Sequence, residues 1–159
     1  MREATQHDIP AVRVLLREYA AWLADPEWLG VDLGFQNFEE ELRDLPGCYA
    51  PPHGGLLVAE VAGVLDGCVG FRRLDLGVCE MKRLYVRPAR RGSGLGRRLV
   101  SAILAAARRA GYRTMRLDTL PVMQAAQTLY RSLGFCEIQP YYDSPVPGTV
   151  YMERDLTHR

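Results

Sequence analysis

Three glycines at alternate positions, Gly92, Gly94 and Gly96, sit between arginines in the stretch RRGSGLGRRL, and an apolar helical pattern follows at once. Bare backbone at a helix start turns several N–H groups one way, and the helix dipole adds about half a positive charge there. Glycine matters because a Cβ would keep an anion from reaching the amides, and because such turns call for positive φ. The chemistry expected is phosphate binding. Spacing narrows the ligand. A dinucleotide loop, G-x-G-x-x-G, needs a third glycine where this chain has Arg97. A P-loop, counted from Gly92 or Gly94, needs its second glycine where this chain has Arg97 or Leu99. What remains is R-x-x-G-x-G, as Arg91, Gly94 and Gly96.

The elements that hold this loop can be read from period. REAT suggests a short opening strand, and Val12, Leu15, Leu16, Tyr19 and Leu23 recur at helical spacing. FQNFEEELRDLPG reads as a second short helix closed by Pro46 and Gly47. GLLVAEVAG, DGCVGFRRLD and GVCEMKRLYVRP then form a three-strand antiparallel meander. After the glycines, Leu95, Leu99, Ala102, Ile103, Ala106 and Ala110 share a helical face ended by Gly111. YRTMRLDT is a strand, and LPVMQAAQTLYRSLGF a helix with Pro121 in its first turn. FCEIQPYY and TVYMERDL are closing strands around the loop DSPVPG. No linker or repeat interrupts the 159 residues, so the expectation is one α/β domain, 1–159, with a mixed sheet.

A chain of this size buries roughly 70% of its unfolded surface and needs no disulfide or metal. Cys48, Cys68, Cys79 and Cys136 lie far apart with no CxxC pair, which argues against structural zinc and for small core residues in a reducing compartment. No apolar run approaches the roughly 18 residues of a membrane span, and the N-terminus lacks a signal-peptide pattern, so a cytoplasmic location is expected. The net charge of +1 conceals an asymmetry. Residues 1–50 carry ten acids against four arginines, a local net of −6, while Lys82 to Arg116 holds eleven basic residues and no acid. That segment suits an anion, with Arg91, Arg97 and Arg98 as its contacts. Nucleic acid is not expected, because the arginines lack interleaved exposed aromatics.

With its flanks, the loop resembles the acyl-CoA-binding motif of the GCN5-related N-acetyltransferase (GNAT) family. CEMKRLYVRPARRGSGLGRRLV corresponds to that family's strand, pyrophosphate loop and helix, AAQTLYRSLGF to its late helix, and REATQHDIPAVRVLL to its opening. The resemblance implies a single GNAT-like domain, a mixed, mostly antiparallel sheet flanked by about four helices. It implies acetyl-CoA as co-substrate without a metal, its pyrophosphate on the amides of Arg91, Gly92, Ser93, Gly94, Leu95, Gly96 and Arg97. The pantetheine arm would run along the backbone of Leu84, Tyr85 and Val86. A bulged strand end near Val86 would offer an N–H to the developing oxyanion. Tyr130 holds the position of the family's general acid, a phenol protonated at pH 7. Glu80 stands where some members carry a base, and shares strand parity with Lys82, Leu84 and Val86 unless a bulge intervenes. Met123 replaces an asparagine that relatives often place seven residues before the tyrosine.

Tyr142 and Asp143, with the acidic run Glu39 to Glu41, are weaker candidates for binding a cationic amine, and a solvated surface accounts for them as well. No cysteine or serine sits in a nucleophile setting, so direct attack in a ternary complex is expected, on a small-molecule or peptide amine. The alternative is a CoA-binding sensor of the same fold without turnover. The terminal strands offer edges through which a homodimer could form.

Overall fold

The computed structural model describes residues 1–158. Its strands are β1 (Arg2–Glu3), β2 (Gly55–Val61), β3 (Val64–Asp75), β4 (Val78–Val86), β5 (Thr114–Thr119), β6 (Cys136–Ile138) and β7 (Val150–Asp155). They form one mixed sheet in the order β1-β2-β3-β4-β5-β7-β6. The expected meander is present as β2–β3–β4, antiparallel throughout. The parallel β4–β5 pair marks the crossover through a helix. The last strand differs from expectation: β7 lies inside the sheet, bonded to β5 and β6, so the edges are the short β1 and β6.

Four α-helices cover the sheet: α1 (Ile9–Ala24), α2 (Phe38–Asp44), α3 (Leu95–Arg109) and α4 (Gln124–Ser132). The stretch expected as one second helix is a 3-10 turn, Leu33–Gln36, then α2, because Asn37 between them takes a left-handed φ of 54°. Pro121 precedes α4 rather than opening it: the helix begins three residues on, at Gln124.

Each face of the sheet has its own apolar cluster. Leu95, Leu99, Val100, Ile103 and Ala107 of α3 pack with Tyr130 of α4 and with Cys79, Met81, Met115 and Leu117 of the strands. On the other face Val12, Leu15, Leu16 and Leu23 of α1, with Phe38 and Leu42 of α2, cover Val58, Cys68 and Tyr85. Both faces are sealed, which is why β3 reads Leu65 to Phe71 without a polar-out alternation apart from Asp66. Of the four thiols, all free, Cys68 and Cys79 are core residues as expected, whereas Cys48 and Cys136 are exposed. No helix among the described residues is long and apolar enough to cross a membrane.

Candidate active site

β4 and β5 pair only over Val78–Glu80 with Thr114–Arg116. Beyond that point β4 runs on to Val86 and β5 to Thr119 without bonding each other, and the sheet splits. A cavity of about 610 Å³ fills the split, lined by Met81–Val86 on one side and Leu117–Leu120 on the other.

The split is reinforced by a bulge. Cys68 pairs with Tyr85 and Gly70 with Lys82, so Arg83 and Leu84 together oppose Val69. Arg83 takes φ = 61°, a left-handed conformation that costs a non-glycine residue about 1–3 kcal/mol. Its guanidinium offsets that cost. It donates to Glu41 Oε2 at 2.9 Å and to Gln36 Oε1 at 2.8 Å, and lies over the Phe38 ring at 5.0 Å. Tyr49 holds the other Glu41 oxygen. The bulge changes the expected parity. Leu84 and Val86 pack on the α3 face with Met81, while Glu80 and Lys82 share the α1 face. Adjacent charges, Lys82–Arg83, inside an apolar strand are the sequence trace of such a slip.

At the α3 end of the cavity lies the glycine loop. Gly92 and Gly94 have φ of 77° and 80°, and a Cβ built on either meets no protein atom within 4 Å. The loop therefore opens onto free space, with room for a ligand against the backbone. The first α3 bond runs from the Arg98 N–H to the Gly94 carbonyl at 3.1 Å, so the amides of Leu95, Gly96 and Arg97 have no intrahelical acceptor. This donor set fits a pyrophosphate. Of the expected donor-site residues, Leu84, Tyr85, Val86, Arg91, Gly92, Gly94, Leu95, Gly96 and Arg97 all line the cavity. Ser93 does not, its hydroxyl donating to the Arg90 carbonyl at 2.6 Å.

The basic segment is less free than its composition implies. Arg83, Arg87, Arg90 and Arg116 are paired with Glu41, Glu18, Asp66 and Glu153 at 2.6–2.8 Å, so acids from the early segment and from elsewhere in the chain neutralise four of its basic residues. Arg97 reaches Ser132 of α4 at 2.7 Å. Arg91 stacks on Trp22 at 4.6 Å and donates to the Val86 carbonyl at 3.1 Å. Met123, in the place of the expected asparagine, lines the cavity and offers its sulfur to the Thr119 hydroxyl at 3.8 Å.

Tyr130 projects from α4 to the cavity wall, edge-on to Phe135 with centroids 5.8 Å apart. Its hydroxyl has no hydrogen-bond partner among the described residues, yet no fully buried side-chain polar atom there is left unpaired, so the oxygen opens to the cavity. Burial, with Tyr19 and Asp118 nearby, pushes this phenol well above its ordinary value and keeps the proton on it.

Glu80 is placed differently from expectation. It is 1% exposed and does not line the cavity. Arg72 donates to one oxygen at 3.0 Å and Tyr141 to the other at 2.6 Å. The carboxylate that does line the cavity is Asp118 of β5, alone among the described residues. Lys82 approaches one of its oxygens at 3.3 Å and the Tyr142 hydroxyl donates to the other at 2.7 Å. Tyr142 thus supports the site through Asp118, while Asp143 is exposed and does not line the cavity. Of the acidic run, Glu41 is bound to Arg83, Glu39 to Arg17 at the surface, and Glu40 is exposed. Sequence reasoning missed Asp118 because strand alternation shows that it shares a face with Arg116, not that Lys82 lies opposite.

The acetyltransferase (GNAT) family model matches residues 13–135. An uncharacterized N-acetyltransferase of Schizosaccharomyces pombe is 41% identical over 94% of this chain and 90% of its own length. An uncharacterized N-acetyltransferase of Escherichia coli, YjgM, is 30% identical over 85% of this chain and 80% of its own. Among solved structures, yncA of Salmonella typhimurium, solved with its cofactor acetyl-CoA, superposes with a TM-score of 0.70 at 27% identity, covering 99% of this chain and 94% of that one.

Proposed function

The chain belongs to the acetyltransferase (GNAT) family, and from that premise we propose an acetyl-CoA-dependent N-acetyltransferase that acetylates a primary amine by direct attack, occupying residues 1–159 as one domain. The observation that carries this reading is the continuity of the split: one cavity joins the free amides at the start of α3 to the Tyr130 hydroxyl. Acetyl-CoA, when bound, supplies an acetyl group on a thioester carbon.

The remaining chemistry falls to this chain. The amides of Leu95, Gly96 and Arg97 hold the pyrophosphate, and the unpaired edge of β4, from Met81 to Val86, runs beside the pantetheine arm as a strand would. The bulge at Arg83–Leu84 frees backbone N–H groups from the ladder at the point where an oxyanion develops. Tyr130 gives its phenolic proton to the departing sulfur as the C–S bond breaks and the N–C bond forms. The surplus proton on nitrogen passes to Asp118, the carboxylate within the cavity, in place of Glu80. Direct attack is supported by the thiols: burial pushes Cys68 and Cys79 up to about 12, and neither Cys48 nor Cys136 lines the cavity.

The test is thermal. Acetyl-CoA at a hundred times its Kd should stabilise the protein by about 2.7 kcal/mol, raising Tm by roughly 5–10 °C. No rise at that concentration refutes the donor site.

A further inference from the structure

The two apolar clusters divide the walls of the cavity between the two faces of the sheet. Leu84, Val86, Leu95, Leu117, Leu129 and Tyr130 belong to the α3–α4 side, where the glycine loop lies. Tyr19, Trp22, Leu33, Tyr85, Leu120 and Met123 belong to the α1 side. A donor seated on the loop occupies the first side, so a second reactant reaches Tyr130 and Asp118 from the α1 side.

That side is aromatic, and among the described residues Asp118 is the one carboxylate that lines the cavity. Tyr19, Trp22 and Trp28 step along it with ring centroids 6.5 and 5.9 Å apart. Trp28 and Phe35 stand 51% and 40% exposed at the cavity wall, large apolar surfaces held in water. The polar groups there are already matched: Lys82 with Asp118, Arg83 with Glu41 and Gln36, Arg91 on the Trp22 face. Two acids on α1 and α2 are committed elsewhere, Glu18 to Arg87 and Glu41 to Arg83. One carboxylate in the cavity lining serves one amino group, and no second one lines it among the described residues.

We infer that the acceptor is a primary amine on an aromatic or branched apolar body, an arylalkylamine rather than a polyamine or a polycationic sugar. The inference rests on the acetyl-transfer reading above. The amine nitrogen meets Asp118, and the apolar body lies against Trp22, Trp28 and Phe35. Burying one ring on this wall lowers KM roughly 10- to 100-fold relative to an amine without it.

Free-thiol release from acetyl-CoA, followed with phenethylamine, tryptamine, putrescine and spermidine, tests the class. The expected result is a kcat/KM at least about tenfold higher for the two arylalkylamines. Trp28→Ala and Phe35→Ala, both at exposed positions, should pull that ratio toward one. Equal or faster turnover of the polyamines overturns the inference, as does a ratio indifferent to both substitutions. Failure of the two readings is separable. If acetyl-CoA raises Tm but no arylalkylamine is acetylated, the acceptor class falls and the donor site stands. If acetyl-CoA does not raise Tm, the acetyl-transfer reading itself falls.

Discussion

The α3 face of the split sheet is made of backbone, whereas the α1 face is made of side chains brought together from distant parts of the chain. On the first, two glycines at positive φ and three amides without an intrahelical acceptor form the proposed recognition surface within six residues, Gly92 to Arg97. On the second, Arg83 needs Glu41 and Gln36 from 42 and 47 residues away, and Lys82 needs Asp118 from 36. Backbone recognition is short in sequence and tolerant of its surroundings. Side-chain recognition depends on the whole fold. The two faces should therefore fail differently when mutated.

The largest effect belongs to the side-chain face. Arg83→Met leaves Glu41 buried without its cation and keeps a left-handed residue in the bulge with nothing to hold it. The expected cost is about 3–5 kcal/mol, a fall in Tm of about 10 °C or more by calorimetry. A Tm within a degree of wild type would mean that the bulge is held by the strand alone.

Next come the two residues proposed as proton carriers, one from each face. Tyr130→Phe should lower kcat by roughly 100-fold while CoA affinity is retained, since the ring and its packing on Phe135 survive. Asp118→Asn should lower kcat by about the same factor while the Tm rise with acetyl-CoA is retained. Glu80→Gln is the contrast. With its carboxylate sealed between Arg72 and Tyr141, the change should appear in Tm, and turnover by the folded fraction should persist. A 100-fold loss in Glu80→Gln with unchanged Tm would return the base to Glu80.

This difference between faces also explains what the chain disclosed before it was folded. The loop, its helix and the meander follow from glycine spacing, periodicity and turn residues, all short-range signals, and the structure carries them at the expected places. The parity of Glu80 did not survive, because a bulge is a property of two strands and appears in one only as the doublet Lys82–Arg83. Asp118 was invisible for a related reason. A carboxylate in a strand is ordinary until Lys82 and Tyr142 are seen on it. The position of β7 inside the sheet is likewise set by pairing partners, which no local pattern in TVYMERDL records.

A smaller effect tests the backbone face. Gly94→Ala puts a Cβ on a residue at φ = 80°, a strain of about 1–2 kcal/mol, without touching any protein atom within 4 Å. The affinity for CoA should fall by roughly tenfold as the loop relaxes away from this conformation. Ser93→Ala beside it removes only a bond to the Arg90 carbonyl and should alter affinity by less than about twofold. Equal losses in the two variants would show that side chains, not amides, recognise the donor.

The smallest effect concerns pH, and it again falls on the α1 face. Arg2, first, and then the Thr5 N–H hold the Asp8 carboxyl well below the usual carboxylate range, with Arg2 Nη1 at 2.6 Å and the amide at 2.7 Å. A folded-state pKa depressed in this way stabilises the fold wherever the unfolded carboxyl is ionised, above its ordinary value of about 4. As pH falls below that value the contribution is lost. Both tryptophans, Trp22 and Trp28, stand on this face, so their fluorescence follows it selectively. Because Arg2 is 43% exposed and solvent screens the pair, Asp8→Asn should lower the fluorescence-detected Tm by only a few degrees at pH 7. That difference between variant and wild type should narrow as pH is lowered from about 5 to 3, where the unfolded carboxyl takes up its proton while the folded one stays ionised, and should close only below that range. A gap that stays constant over this range would assign the loss to the hydrogen bonds with Thr5 and not to the ion pair.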